Sequence, residues 1–503
     1  MNPLADALVA PLSGRADAVL IRPDGSTLSG DALYRLSGQI ANVLVGAGLQ
    51  PGDRVAIQAE KSVEALALYL ACLRAGALFL PLNTAYTTAE LDYFLGDAEP
   101  RVAICDPASE AALGPMARDK GIELLTLDGA GGGTLAEGAA TAPDEFATVP
   151  REPDDLAAIL YTSGTTGRSK GAMLSQDNLL SNTEALVETW RFTSDDVLLH
   201  ALPIFHAHGL FVAVNVLLRV GGRMIFLPKF DLETVIARLP EATAMMGVPT
   251  FYTRLLSDAR FDRDLTSHMR LFISGSAPLL AETHQAFEAR TGHRILERYG
   301  MTETTMSTSN PYDGERRAGT VGFPLPRVEA RITDAETGAV LEQGEVGILE
   351  VRGPNVFKGY WRMPEKTAEE FRADGFFITG DIARIDAEGY VTIVGRAKDL
   401  VISGGYNVYP KEVESEIDAL DGVLESAVIG VPHPDFGEAV VAAVVREGGS
   451  QIVAEGIQTA LQERLAKYKL PKLVYFVEEL PRNTMGKVQK NILRDEYQGV
   501  FNK

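Results

Sequence analysis

The run Tyr161-Thr162-Ser163-Gly164-Thr165-Thr166-Gly167-Arg168-Ser169-Lys170-Gly171 concentrates hydroxyls, glycines and a lysine in one short stretch. That composition suits a phosphate cradle. Glycines let backbone N–H groups approach an anion, hydroxyls add donors, and the lysine adds charge. An apolar stretch at 156–160 precedes the run and reads as a buried strand. The segment 176–190 follows it with the length and spacing of a helix. The spacing is not G-x-x-x-x-G-K-[ST]. Gly164 and Gly167 stand too close, and Lys170 is followed by Gly171 in place of a hydroxyl that could hold magnesium. The loop implies a nucleotide triphosphate bound by another scheme.

Such a loop needs a frame, and the flanking pattern predicts one. Stretches 54–59, 101–106, 156–160, 197–202, 224–227, 244–248 and 271–274 read as short apolar strands. Between them, 63–74, 210–219, 232–239 and 281–291 have helical spacing. This alternation predicts parallel sheets wound with helices. Beyond Asn310, segments 328–333, 345–352, 376–379, 383–386 and 390–394 read as short strands between Gly and Asp turns, an antiparallel sheet or small barrel. After Gly395 the pattern is mixed, with helices at 411–420 and 458–467, as in a small α+β unit. The glycine-rich segment 129–134 reads as a flexible surface loop.

Composition bounds the partners. The 503 residues are 46% apolar, ample for large cores, and the formal net charge is −21 without a dense basic run. Nucleic acid and anionic membrane surfaces are thereby disfavoured. Cys72 and Cys105 sit in apolar surroundings and read as buried free thiols of a reducing, cytoplasmic compartment. The start, 1–12, lacks the pattern of a signal peptide, and no apolar stretch is long enough to span a membrane.

Further motifs follow in order: Tyr299-Gly300-Met301-Thr302-Glu303-Thr304, Thr379-Gly380-Asp381, Gly395-Arg396-Ala397-Lys398-Asp399, Ser403-Gly404-Gly405-Tyr406-Asn407-Val408-Tyr409-Pro410 and Pro481-Arg482-Asn483-Thr484-Met485-Gly486-Lys487. With the phosphate loop, this series resembles the adenylate-forming enzymes, the superfamily of acyl-CoA synthetases, luciferases and peptide-synthetase adenylation domains. The resemblance implies an α/β fold. A large N-terminal domain, 1–396, would hold two wound α/β sheets plus a small barrel-like sheet. A small mobile α+β domain would occupy 397–503. It also implies ATP, Mg2+ and coenzyme A as ligands, and catalysis dominated by electrostatic stabilisation of a polyanion.

Roles carried over by resemblance are as follows. Thr162, Ser163, Gly164, Thr165, Thr166, Gly167 and Lys170 would hold the β- and γ-phosphates. Thr302 would contact the α-phosphate, and Glu303 would ligate magnesium. Gly275, Ser276, Ala277, Tyr299 and Gly300 would line the nucleotide, with Tyr299 stacked on adenine. Asp381 would bind the ribose hydroxyls, assisted by Arg396. Lys487 would reach the carboxylate and α-phosphate during adenylation, and the family makes it a target of acetylation, which removes its charge. Read without its motif, Lys487 would be an ordinary surface lysine. Lys398 matches the hinge position. Ser403, Gly404 and Gly405 would let the pantetheine arm pass, although a simple turn also explains the glycines.

The acid pocket is expected around His206, Arg254, Ser276 and Arg298, with His206 near the carboxylate or the pantetheine tunnel and His208 structural. A guanidinium at 298 suits a second carboxylate on the substrate, which its fork binds bidentately. An internal salt bridge with Glu297 or another acid is the competing explanation, and Arg254 could equally face solvent. These four residues, with the stretch 297–312, resemble the pocket of malonyl-CoA synthetases. The resemblance implies ATP-dependent ligation of malonate, with methylmalonate tolerated, to coenzyme A. A synthetase for another short-chain or aromatic acid is the alternative. An amino-acid adenylation domain would usually show an aspartate near 206–209, which is absent. A nucleotide sensor would not need Glu303, Asp381, Lys398 and Lys487 together.

Overall fold

The computed structural model describes residues 1–162, 169–403, 406–483 and 486–501. Of the expected site residues, Ser163, Gly164, Thr165, Thr166, Gly167, Gly404 and Gly405 lie outside the described residues.

Two wound sheets form the large part of the chain. The first runs in spatial order Glu123–Thr126, Val102–Cys105, Arg54–Gln58, Leu78–Pro81, Leu156–Thr162 and Lys170–Ser175. All its neighbours are parallel except the last pair. The second has nine strands, with the parallel set Leu296–Tyr299, Leu271–Ser274, Ala244–Gly247, Val197–His200, Arg223–Phe226 and Ala18–Ile21 at its centre. These strands are apolar and buried on both faces, as strands covered by helices must be. The helix Val63–Ala75 is buried along nearly its whole circumference. Ser62 caps its start and Gly76 closes it in a left-handed turn. A helix apolar all round belongs between layers. Its Tyr69 packs on Phe79 and Phe211 and donates to Asn215 at 3.1 Å, joining elements of both sheets.

The phosphate loop departs from the expected strand-loop-helix order. Between the loop and the helix Gln176–Trp190 lies a further strand, Lys170–Ser175, antiparallel to Leu156–Thr162, with Thr162 opposite Lys170. The loop therefore joins a hairpin, and no helix N-terminus directly follows it. The alternation of 170–175 is too short to separate from a loop tail by pattern alone. The ladder with Leu156–Thr162 makes it a strand, and a second neighbour joins its other edge. The segment 358–361 pairs along it, through Met173 N to Gly359 O at 3.0 Å, Lys358 N to Met173 O at 2.8 Å and Trp361 N to Gly171 O at 2.7 Å.

The third sheet is an open antiparallel meander of Glu329–Thr333, Gly347–Arg352, Phe377–Ile385 and Val391–Arg396. The two strands expected at 376–379 and 383–386 are one, with irregular register between Ile382 and Ala383 and a left-handed Gly380. An irregularity of this kind re-aims side chains beside a site. The final sheet comprises Tyr406–Val408, Val401–Ser403, Gly437–Arg446, Val423–His433 and Leu473–Val477, with separate apolar clusters on its two faces. Its helices are Pro410–Asp418, Ala454–Gln462 and Lys490–Tyr497. The helix expected at 458–467 starts and ends earlier, because Ile457 and Leu461 are its buried anchors. Both cysteines are buried and free. Among the described residues, no helix is long and apolar enough to cross a membrane.

Asparagine side chains hold the loops that border the site. Asn355, 1% exposed, donates to Thr304 O at 2.8 Å and Met306 O at 3.0 Å, just past Glu303. Replacing it by leucine removes both bonds, at about 0.5–1.5 kcal/mol each, while Met306 O keeps Asn182 Nδ2 and Thr304 O keeps Thr305 Oγ1 as donors. Asn355→Leu is expected to unfold at a lower temperature than the wild type, as read by calorimetry. An unchanged or higher midpoint would show that these bonds contribute little.

Candidate active site

The strand Leu296–Tyr299 divides the chemistry by its two-residue period. Glu297 is paired with His284 at 3.3 Å and accepts from Gly319 N at 3.2 Å. Arg298 points the other way. It is 4% exposed, and its Nε and Nη2 have no hydrogen-bond partner. Among the described residues, no carboxylate forms an ion pair with it, so the internal salt bridge with Glu297 does not exist. Burial pulls the Arg298 pKa down to about 9, the mark of a charge taken from water without compensation. Gly275 makes room for it, since a Cβ there would lie 2.2 Å from the guanidinium carbon.

His206, His208 and Ser276 gather on the same side. Ser276 adopts φ +70, rare for a residue with a side chain. Its Oγ lies 3.2 Å from His208 Nδ1, and half-buried Ala277 follows it. His206 Nδ1 accepts from His208 N at 3.4 Å. Burial, then the charges of Arg298 and Lys487, lower the His206 pKa to about 4, so its ring is neutral. Arg254 is not gathered into this group. It is exposed on the helix Pro249–Leu256, its guanidinium 6.0 Å from the centre of the Phe230 ring.

On the opposite flank, Tyr299 donates to Asp381 at 2.5 Å, and Arg396 lies 3.1 Å from the other carboxylate oxygen. Asp381 and Arg396 are register partners on adjacent strands, and Asp381 is 3% exposed. Lys487 approaches this pair on a turn closed by Lys487 N to Asn483 Oδ1 at 2.9 Å. Its Gly486 lies against Thr250. Burial, then the Arg396 charge, lower the Lys487 pKa to about 8, with Asp381 opposing. Lys487 is half-buried. Lys398 is exposed in the turn Ala397–Asp399, where Asp399 accepts from Arg494 at 2.5 Å. Ser403 is buried at the end of its strand.

The phosphate side contains residues that the sequence pattern does not reveal. Glu303, 5% exposed, accepts from Thr162 Oγ1 at 3.3 Å and lies 3.0 Å from Tyr360 Oη. Tyr360 also lies 2.6 Å from Glu370, and Lys170 binds Glu370 at 2.9 Å with its ammonium 3.9 Å from the Tyr360 ring centre. Burial raises the Glu303 pKa. For Glu370, burial acts in the same direction but is outweighed by the bonds from Tyr360 and Lys170, and its pKa falls. Tyr360 and Glu370 carry no recognisable spacing to Lys170. Only the pairing of 358–361 with Lys170–Ser175 brings them together. Thr302 and Gly300 are half-buried on the turn between Tyr299 and Glu303.

The site thus offers an unpaired buried guanidinium, a neutral histidine, a lysine near its titration point, and a buried carboxylate beside hydroxyls. Comparison with known proteins fits this arrangement. A family model described as AMP-binding enzyme matches residues 10–361, and the AMP-binding enzyme C-terminal domain matches 412–487. A malonate–CoA ligase of Arabidopsis thaliana is 35% identical, covering 97% of this chain and 88% of its own. A feruloyl-CoA synthase of an Amycolatopsis species is 37% identical, with 95% and 96% covered. The crystal structure of ATP-bound MatB from Rhodopseudomonas palustris superposes with a TM-score of 0.98 at 60% identity, over 100% of both chains.

The unpaired guanidinium yields a prediction about the free protein. Burying a charge without a partner costs stability. Arg298→Met keeps the length and removes the charge, so it should raise the thermal midpoint measured without ligands. A lower midpoint would mean that Arg298 is already compensated.

Proposed function

Because the chain belongs to the AMP-binding enzyme family, we propose that it ligates malonate to coenzyme A using ATP, with methylmalonate as an accepted analogue. One malonate carboxylate oxygen attacks the α-phosphorus. A new O–P bond forms, the bond to the bridging oxygen breaks, and pyrophosphate leaves. The coenzyme A thiol then attacks the acyl carbon of the adenylate, and AMP leaves. The observation that carries malonate is Arg298, which is buried without an anion, as a site awaiting a second carboxylate would require.

The remaining roles follow from position and charge. Arg298 would bind the distal carboxylate, with neutral His206 and Ser276 beside the acid. Arg254, being exposed, would contribute at most from the rim. Lys487 would bridge the reacting carboxylate and α-phosphate. Thr302 lies on the turn that would face that phosphate. Tyr299, with Gly275, Ala277 and Gly300, would frame adenine, and Asp381 with Arg396 the ribose. Thr162 and Lys170 would meet the terminal phosphates, Lys170 exchanging Glu370 for phosphate oxygens. Glu303 fits a magnesium ligand, being a buried carboxylate with a raised pKa and no ion-pair partner among the described residues. Bound there, the ion would neutralise phosphate charge. Residues 397–503 would turn as a unit about Lys398, presenting Lys487 for adenylation and the Ser403 segment for thioester formation.

Substrate discrimination tests the reading. Arg298→Ala is expected to lose about 2–5 kcal/mol of transition-state binding for malonate, at least roughly thirtyfold in kcat/KM. Propionate, lacking the second carboxylate, should change little. A variant that kept the preference for malonate would overturn the dicarboxylate assignment.

Lys487 gives a separate test. Its ammonium is lost as pH rises through about 8 in the free enzyme, and kcat/KM reports free-enzyme groups. The rate of malonate-dependent ATP–pyrophosphate exchange should therefore decline above that pH. Lys487→Arg, always protonated, should be slower but lack that limb. Lys487→Ala should abolish exchange while sparing thioester formation from supplied malonyl adenylate. Equal loss of both half-reactions would remove the assignment to adenylation.

A further inference from the structure

Lys61 lies between the strand Arg54–Gln58 of the first sheet and the helix Val63–Ala75. It is 6% exposed. Lysine is almost never buried unless paired, yet no carboxylate among the described residues forms an ion pair with it. Its partners belong to the second sheet. Nζ lies 2.7 Å from His200 Nδ1 and donates to His200 O at 2.9 Å and Leu202 O at 3.0 Å, with the Phe226 ring centre 4.2 Å away. His200, 1% exposed, sits at the end of the strand Val197–His200, and its Nε2 is 2.7 Å from Gly209 O.

The hydrogen-bond roles are fixed by the acceptors. A carbonyl only accepts, so His200 Nε2 carries a hydrogen. Two of the three Nζ positions go to carbonyls, and the third faces Nδ1. One proton is therefore shared between Nζ and Nδ1, and every polar atom of the pair is satisfied.

These bonds bracket one segment. Lys61 holds the carbonyls where 201–208 begins, and His200 holds the carbonyl where it ends. The segment folds back so tightly that a Cβ on Gly209 would lie 2.0 Å from Pro203 O. Within it stand His206, in the field of Arg298 and Lys487, and His208, bonded to Ser276. A buried charge is a costly tether where an apolar contact would stabilise the fold at least as well. What it adds is direction, since three bonds aim two backbone strands at once.

We propose that Lys61, acting through His200, is a positioning residue that holds the 201–208 segment, and with it His206, in register with the acid site. The proposal rests on the acid-ligase function argued above. It assigns to one buried lysine the coupling of the sheet that carries the phosphate hairpin to the segment that faces the acid.

The test measures malonate-dependent ATP–pyrophosphate exchange in the full-length protein, varying malonate and ATP separately. Lys61→Met should raise KM for malonate roughly ten- to a hundredfold, the scale of a misplacement near one ångström, while KM for ATP stays within about twofold. Mere loss of folded protein lowers the apparent kcat and leaves both KM values alone. His200→Gln keeps a donor for Gly209 O and an acceptor for Nζ, so it should recover most of the malonate affinity. His200→Leu removes both and should behave as Lys61→Met. Unchanged malonate KM in Lys61→Met or His200→Leu would overturn the proposal, as would equal damage in His200→Gln and His200→Leu. If Lys61→Met does not fold, the two His200 variants decide by the same criteria. If the wild type fails to activate malonate, the proposed substrate falls instead, and the comparison is made with the acid it does activate.

Discussion

A guanidinium taken from water without an anion carries a desolvation cost that only a ligand can offset, and the acid side of this site is built around one. Strand alternation turns Glu297, the nearest acid in sequence, to the opposite face, where His284 occupies it. Gly275 removes the side chain that would have crowded Arg298. The surrounding groups are neutral or positive, so nothing on that side quenches the charge. His206 is held uncharged, and Lys487 is drawn toward neutrality by burial and by Arg396. The resulting positive field favours an anion with two carboxylates over one with a single carboxylate.

The phosphate side rests in the opposite electrostatic state. Lys170 is matched by Glu370 and covered by Tyr360. In the proposed function a polyphosphate would have to draw Lys170 from that partner, so part of its binding energy would go into exchange. Glu303, by contrast, has no ion-pair partner among the described residues, lies beside the hydroxyls of Thr162 and Tyr360, and has its pKa raised by burial. A cation beside it would relieve that burden. One half of the site holds an unmatched buried cation, whereas in the other Lys170 is already matched by Glu370.

The two halves stand on different sheets, and their spacing depends on what lies between. The apolar helix Val63–Ala75 fills that layer, and Tyr69 ties it to both sides. Lys61, at the start of the same helix, adds a directional tether to an otherwise non-directional contact. Close packing sets the distance between the sheets, and hydrogen bonds set the orientation of the segment that carries His206.

The sequence by itself determined the wound α/β architecture, since buried parallel strands and their helices have distinct periods and lengths. It also marked the compact motifs, from Thr162 to Lys487, that carry the residues proposed for the nucleotide site, and the family they resemble. Arg298 was legible as a guanidinium expected in the acid pocket, but its alternatives, a salt bridge to Glu297 or another acid and an open pocket, differ in which face each side chain takes. Three-dimensional packing decided that, along with the exposure of Arg254. Tertiary structure alone revealed the strand Lys170–Ser175, because six residues of weak alternation become a strand only when they pair with Leu156–Thr162 on one edge and 358–361 on the other. It alone brought Glu370 to Lys170 and Lys61 to His200, which stand 200 and 139 residues apart. Local propensity acts over a few residues, whereas these contacts arise where sheet edges and layers meet, and no pattern along the chain records that meeting.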